Sequence, residues 1–176
     1  MLSVTETALP GIGLSIPRVI EREAESYLAM RSGGAMRDLP QFAPPLIADL
    51  HDWMARRGIV AAGPVFFRYR RLGSDGSVEL DVGHAVARPG ETGDGVVEDA
   101  LPAGRYAAAT YTGPYDRLHD AFCMLHGWIR ARGLEPAETA GPQGRMIGCQ
   151  LEIYRIGPGD TGDPVKYETD LFLQIA

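Results

Sequence analysis

The stretch LHDWMARRGI at residues 50–59 returns as LHGWIRARGL at residues 125–134, with Leu, His, Trp, Arg and Gly in register. In the first copy Leu46, Ile47, Leu50, Trp53 and Met54 share one face of a 3.6-residue period. In the second, Ala121, Phe122, Leu125, Trp128 and Ile129 share the same face. Each pattern predicts an amphipathic helix packed on a core. Gly58 and Gly133 then stand where a helix C-terminus favours a left-handed residue.

The repeat extends outward from these helices. Upstream, SYLAMRSGG (residues 26–34) aligns with RYAAATYTG (residues 105–113), both strand-like runs closed by glycine. Downstream, GPVFFRYRR (63–71) aligns with GCQLEIYRI (148–156). Beyond that, SVELDVGHAV (77–86) aligns with KYETDLFLQI (166–175), matching Glu79 with Glu168 and Asp81 with Asp170. SDG at residues 74–76 and GDTGDP at residues 159–164 read as hairpin turns. Each half is therefore strand–helix–strand–strand, over about residues 18–86 and 102–176, with a Gly-rich acidic connection at about 87–101. Two copies make a fused pseudo-dimer, expected as a single domain over residues 1–176. The expected class is α+β: tandem duplicated units related by a pseudo-twofold axis, an antiparallel sheet with helices on one face, and a central ligand groove.

Composition narrows the function. The chain has 176 residues, and 17 Lys and Arg against 23 Asp and Glu give a net charge of −6, which offers no electrostatic footprint for nucleic acid. No apolar run approaches the roughly 18 residues of a transmembrane helix, and the N-terminus lacks the basic start and apolar segment of a secretory signal. Two cysteines, Cys123 and Cys149, do not build a disulfide framework, so a cytoplasmic location is expected.

Strand alternation assigns side chains to faces. In GCQLEIYRI the apolar Cys149, Leu151 and Ile153 are expected under the helices, leaving Gln150, Glu152 and Tyr154 on the open side. In KYETDLFLQI, Leu171, Leu173 and Ile175 take the core side and Glu168, Asp170 and Phe172 the open side. The repeat places Val65, Phe67 and Tyr69 on the open side, with Phe66 and Arg68 inward; Tyr27 and Tyr106, which align with one another, join the open face. The expected cleft thus sets Tyr27, Tyr106, Phe67, Tyr69, Tyr154 and Phe172 around Glu152 and Glu168. Rings with a negative π-face beside a carboxylate suit a flat, greasy cation. Tyr111 and Tyr115 flank the GP turn, either at the cleft mouth or at the start of the second helix.

The strings GPVFFRYRR, LPAGRYAAATYTGPYDRL, LEIYRIGP and YETDLFLQIA, in this order, resemble the GyrI-like small-molecule-binding domain, also the effector-binding module of AraC-type and MerR-type regulators. The resemblance covers residues 19–176. It implies tandem strand–helix–strand–strand units and a groove lined by aromatics around a glutamate, which falls on Glu152, with Tyr154 beside it. The family's closing WET motif stands here as Tyr167, Glu168 and Thr169. With about 17 residues ahead of the first half, a stand-alone form is expected, holding a lipophilic or cationic small molecule without cofactor, metal or direct nucleic-acid contact. The resemblance also implies two alternatives. One is a hydrolase of cyclopropane-bearing cytotoxins, with Glu152 and Tyr154 activating water. The other is a gyrase-inhibitor-like module that binds protein.

Plainer readings stay open beside these. Glu152 is also explained by pairing with Arg68 or Arg155, Glu168 by solvation on a strand, and Tyr69 and Tyr154 by symmetric core packing. His119, Cys123 and His126 share one helical flank, where a structural role outweighs a metal stripe. Asp116 after the GP turn reads as a helix N-cap. ETGDG at residues 91–95 has no phosphate-loop context, and RYRR at residues 68–71 reads as a solvated strand face.

Overall fold

The computed structural model describes residues 13–88, 90 and 92–176. The first twelve residues, where a secretory signal was sought, and Glu91 of ETGDG lie outside the described residues. In the first half, β1 (Gly13–Leu14) and β2 (Arg18–Arg22) lead into β3 (Glu25–Ala35), a short α1 (Leu39–Phe42), α2 (Pro45–Arg56), β4 (Ala61–Gly73) and β5 (Ser77–Val86). The second half follows β6 (Val96–Leu101) with β7 (Gly104–Thr112), α3 (Leu118–Ala131), β8 (Glu138–Gly141), β9 (Gly144–Ile156) and β10 (Glu168–Gln174). The fold is α+β, with each half a strand–helix–strand–strand unit.

The helix boundaries follow from their residues. Pro45 opens α2 at its first position, where a missing N–H costs nothing. Both long helices end in the same hydrogen-bonded cap. Gly58 and Gly133 adopt φ of 64° and 65°. The amide of Ile59 donates to Met54 at 3.0 Å and that of Leu134 to Ile129 at 3.1 Å, closing a Schellman turn whose apolar residue after the glycine packs back on the helix. The repeat shows again just before each cap, where Arg57 lies over the Trp53 ring and Arg132 over Trp128, at 4.1 and 5.2 Å.

All ten strands form one antiparallel sheet in the order β1-β7-β10-β9-β4-β5-β3-β6, with β2 also on β7 and β8 on β9. The halves join where β4 pairs with β9, Phe67 opposite Glu152 and Tyr69 opposite Gln150. In the repeat alignment Phe67 is the counterpart of Glu152, so a pseudo-twofold axis passes between two equivalent positions that face each other across the seam. Tyr69 and Tyr154, also counterparts, flank them.

The helices pack on one face of this sheet. Alanines 107 and 109 with Leu171, Leu173 and Ile175 lie under α3, while α2 covers Leu28 and Val86. The other face is equally dry: Tyr27, Phe66, Tyr106, Cys149, Leu151 and Leu101 form a buried cluster there. No helix covers it. Arg68 on β4 reaches the carbonyl of Ala100 on β6 at 3.0 Å, three strands along. That separation is about 14 Å on a flat sheet, beyond one arginine side chain, so the sheet curls towards this face and buries it.

This second buried face overturns the expected facing of β9. Antiparallel partners share a face, and Glu152 is paired with Leu171 while Leu151 is paired with Phe172. Glu152 and Tyr154 therefore lie on the helix side, and Cys149, Leu151 and Ile153 lie opposite. Apolarity could not distinguish the two faces because both are core.

Candidate functional site

Glu152 stands beside the pseudo-axis at the β4–β9 seam, 5% exposed. The Tyr69 hydroxyl donates to its Oε1 at 3.0 Å and the Tyr154 hydroxyl to its Oε2 at 2.5 Å. The duplication places this clamp: two equivalent tyrosines, one per half, converge on the one acid at the seam. Phe67, the acid's counterpart, meets the Tyr154 ring edge-on at 5.0 Å. The helices wall the site, Phe122 of α3 meeting Tyr69 at 6.4 Å and Leu46 and Ile47 of α2 packing in the cluster that holds Phe67 and Tyr69. The ring series continues from Tyr154 to Tyr115 at 5.3 Å and on to Tyr167 at 4.9 Å.

The electrostatics are one-sided. Burial pushes the Glu152 carboxyl above its ordinary range, and the hydrogen bonds from Tyr154 and Tyr69 pull it partway back. No cationic group among the described residues offsets its charge. Burial, then the neighbouring carboxylate, raises both phenols well above their usual value, so they stay protonated donors. Burial, with Tyr167, Asp160 and Glu152 nearby, pushes Tyr115 up to about 12. Thr169 lies on the same face between Tyr154 and Tyr111. Its hydroxyl is fully buried without a hydrogen-bond partner among the described residues.

The structure brings together Glu152, Tyr154, Phe67 and Tyr69 and places Tyr111 on the same face, its hydroxyl bonded to the Pro114 carbonyl at 3.0 Å. It separates the other four expected residues from them. Tyr27 donates to the buried Asp81 at 2.6 Å and Tyr106 to the Pro102 carbonyl at 2.6 Å, both on the opposite face. Phe172 lies there too, under the Arg22 guanidinium at 4.6 Å, and Glu168 pairs with Arg155 at 3.2 Å. The physical reason is the pairing register already given: residues 170 and 172 share the face of Leu151, not of Glu152, and a bulge before Thr169 leaves Glu168 with Arg155.

The arginines read as possible partners of Glu152 are engaged elsewhere. Arg155 takes Glu168 and Asp170, and Arg68 takes the Tyr27 hydroxyl at 2.8 Å with Asp99 at 3.5 Å. Arg70 and Arg31 share the fully buried Asp81 at 2.8 and 2.7 Å, so RYRR anchors an ion network instead of facing solvent. His119 and Cys123 approach to 3.6 Å on the exposed flank of α3, and no group of three or more potential metal ligands occurs among the described residues. Sequence reasoning missed Thr169 and the role of Tyr167. The only signal for either was their place in the YET motif.

Comparisons with known proteins agree with this architecture. The C-terminal domain of EcmrR matches with a TM-score of 0.72 at 16% identity, over 92% of this chain and 97% of that domain. Against EcmrR in its DNA complex the chain spans 57% of the regulator's length, with the same TM-score of 0.72. SAV2435 bound to tetraphenylphosphonium matches at 0.59 and 10% identity, over 92% and 94% of the two chains. A hydrolase from Listeria innocua matches at 0.56 and 14%, over 91% of each. At these identities the likeness is one of fold. No curated protein sequence matches the chain. No helix among the described residues is long and apolar enough to cross a membrane. The profile of the GyrI-like small molecule binding domain matches residues 17–176, and with the duplicated sheet and its seam it establishes that the chain belongs to that family.

Proposed function

We propose that this GyrI-like domain captures lipophilic, cationic aromatic compounds at the Glu152 site, sensing or sequestering drugs or toxins. The supporting observation is a buried carboxylate held by two phenols and walled by rings, with no cation beside it among the described residues. A ligand cation supplies the missing charge, and the rings supply apolar area and π-faces. Phe67, Tyr69, Tyr154 and Tyr111 are the proposed contacts. The rings pack on one another in this structure, so entry parts them, and shape-adaptable aromatic walls accept varied ligands. The tetraphenylphosphonium complex of SAV2435 supports the same ligand class on the same fold. Calorimetric titration with tetraphenylphosphonium and with a neutral triaryl compound of similar size tests the reading. Preference for the cation is expected, and equal affinity overturns the electrostatic part.

A second reading rests on the raised carboxyl of Glu152, the property of a general base working near neutral pH. In a cyclopropane hydrolase Glu152 takes a proton from the attacking water while the Tyr154 hydroxyl steadies the charge released by ring opening. Incubation with a cyclopropane-bearing electrophile and mass spectrometry for the water adduct tests it. Saturable binding without product at any pH rejects it.

A further inference from the structure

Outside the seam, two histidines meet. His84 on β5 is 6% exposed, and its Nε2 lies 2.7 Å from Nε2 of His51 on α2. Its Nδ1 lies 3.0 Å from the carbonyl oxygen of Gly63. A carbonyl only accepts, so Nδ1 of His84 carries the ring proton and Nε2 is bare. Nε2 of His51 must then be the donor. An ion does not fit between them: two nitrogens bound to one zinc at about 2.0–2.1 Å stand roughly 3.3 Å apart, and 2.7 Å is a hydrogen-bond separation.

We propose that the His51–His84 pair is an acid-released strap between α2 and β5. The surroundings of His84 are simple. From α2 it faces His51; from β4 the Gly63 carbonyl and Val65; from β3, Leu28. No carboxylate or guanidinium among the described residues acts on it, and the carboxylates of α2 nearest in sequence, Asp49 and Asp52, are exposed.

A proton taken up by His84 has only Nε2 to go to. There it destroys the acceptor and sets two N–H groups against each other. Burial, partly offset by the Gly63 bond and reinforced by His51, holds His84 below its ordinary value, so this uptake belongs below about pH 6.5. The sign follows: the unfolded chain takes up that proton first, so stability from neutral His84 is full above about pH 6.5 and declines as pH falls. Since Leu50, Trp53 and Met54 still anchor α2, the release is a local loosening. It reaches the Glu152 site through Leu46 and Ile47, which wall it, but it does not depend on any ligand assignment there.

Hydrogen exchange from about pH 8 to about pH 5, corrected for intrinsic rates, tests the strap. Protection of α2 relative to β9 is expected to fall by up to about tenfold per pH unit below about pH 6.5, levelling off where the closed state also binds the proton. His51→Gln removes the ring that opposes proton uptake at His84 and offers an amide oxygen to the protonated Nε2–H, so the step shrinks; His84→Gln abolishes it. If His84→Gln does not fold, the His51→Gln comparison decides. A relative protection independent of pH, an undiminished step in His51→Gln, or nitrogen NMR placing the neutral-pH proton of His84 on Nε2 overturns the strap.

Discussion

Replacing Glu152 by Gln separates the stability of the seam from its use. In the folded protein the substitution removes a buried charge that no cation among the described residues balances, and keeps an acceptor for one of the two phenols. The lost charge-assisted bond costs about 1.5–3 kcal/mol, and the relieved desolvation is of similar size and opposite sign. The net effect on unfolding is therefore within about 1 kcal/mol of zero, or stabilising. Binding responds differently. A ligand cation about 5 Å from the carboxylate gains roughly 3 kcal/mol at an effective dielectric of about 20. Part of that goes to desolvating the cation, and the Gln dipole recovers a little. A loss of about ten- to hundredfold in affinity for tetraphenylphosphonium is the expected remainder. Urea denaturation and calorimetric titration on the same preparations provide the two numbers. The stability difference also has a pH signature. Because the folded carboxyl titrates above its ordinary value of 4.5, the native state binds the proton more tightly than the unfolded chain. Wild-type stability then falls as pH rises through that window, and the advantage of Glu152→Gln grows across it and levels off above. Unchanged affinity with an unchanged pH profile refutes the description of Glu152 as an uncompensated buried carboxylate. A stability loss of several kcal/mol refutes the claim that the clamp is dispensable for folding.

Other substitutions test the surrounding structure. Asp81→Asn leaves Arg31 and Arg70 without their buried counter-charge and is expected to cost about 3 kcal/mol or more by urea denaturation, with ligand affinity little changed because Asp81 lies on the opposite face from Glu152. Gly58→Ala and Gly133→Ala meet no neighbouring atom but force alanine to φ near +65°, so each is expected to cost about 1 kcal/mol, equally in the two halves. Gly157→Ala puts a methyl 2.7 Å from the Tyr115 hydroxyl. That ring is the end of a movable side chain, so a several-fold change in ligand affinity is expected with a stability change under about 1 kcal/mol.

The duplication was legible because it is local. Helix periodicity around Leu50 and Leu125, the glycines two residues after each helix and the hairpin turns are all written in short windows of sequence. Chain chemistry in such windows constrains backbone geometry directly. With the alignment of the halves, this was enough for the class of fold and for grouping Glu152, Tyr154, Phe67 and Tyr69, but the same group also held Tyr27, Tyr106, Glu168 and Phe172, which lie apart from these four. The face the four occupy was decided elsewhere. Leu151 and Glu152 alternate as any half-buried strand does, but a sheet that curls to bury its second face gives apolar residues two places to go. The choice then depends on which residues of β10 lie opposite. Tyr27 reads as a ligand-facing ring because nothing near it in sequence announces Asp81, 54 residues away, as a partner, and Tyr106 because a backbone carbonyl, here that of Pro102, leaves no mark in side-chain pattern. The meeting of Tyr69 and Tyr154 on one carboxylate, and of His51 with His84, likewise depends on pairings between distant strands and helices. Sequence determined the two halves and what each contains; only their joining at β4 and β9 put one acid between two tyrosines.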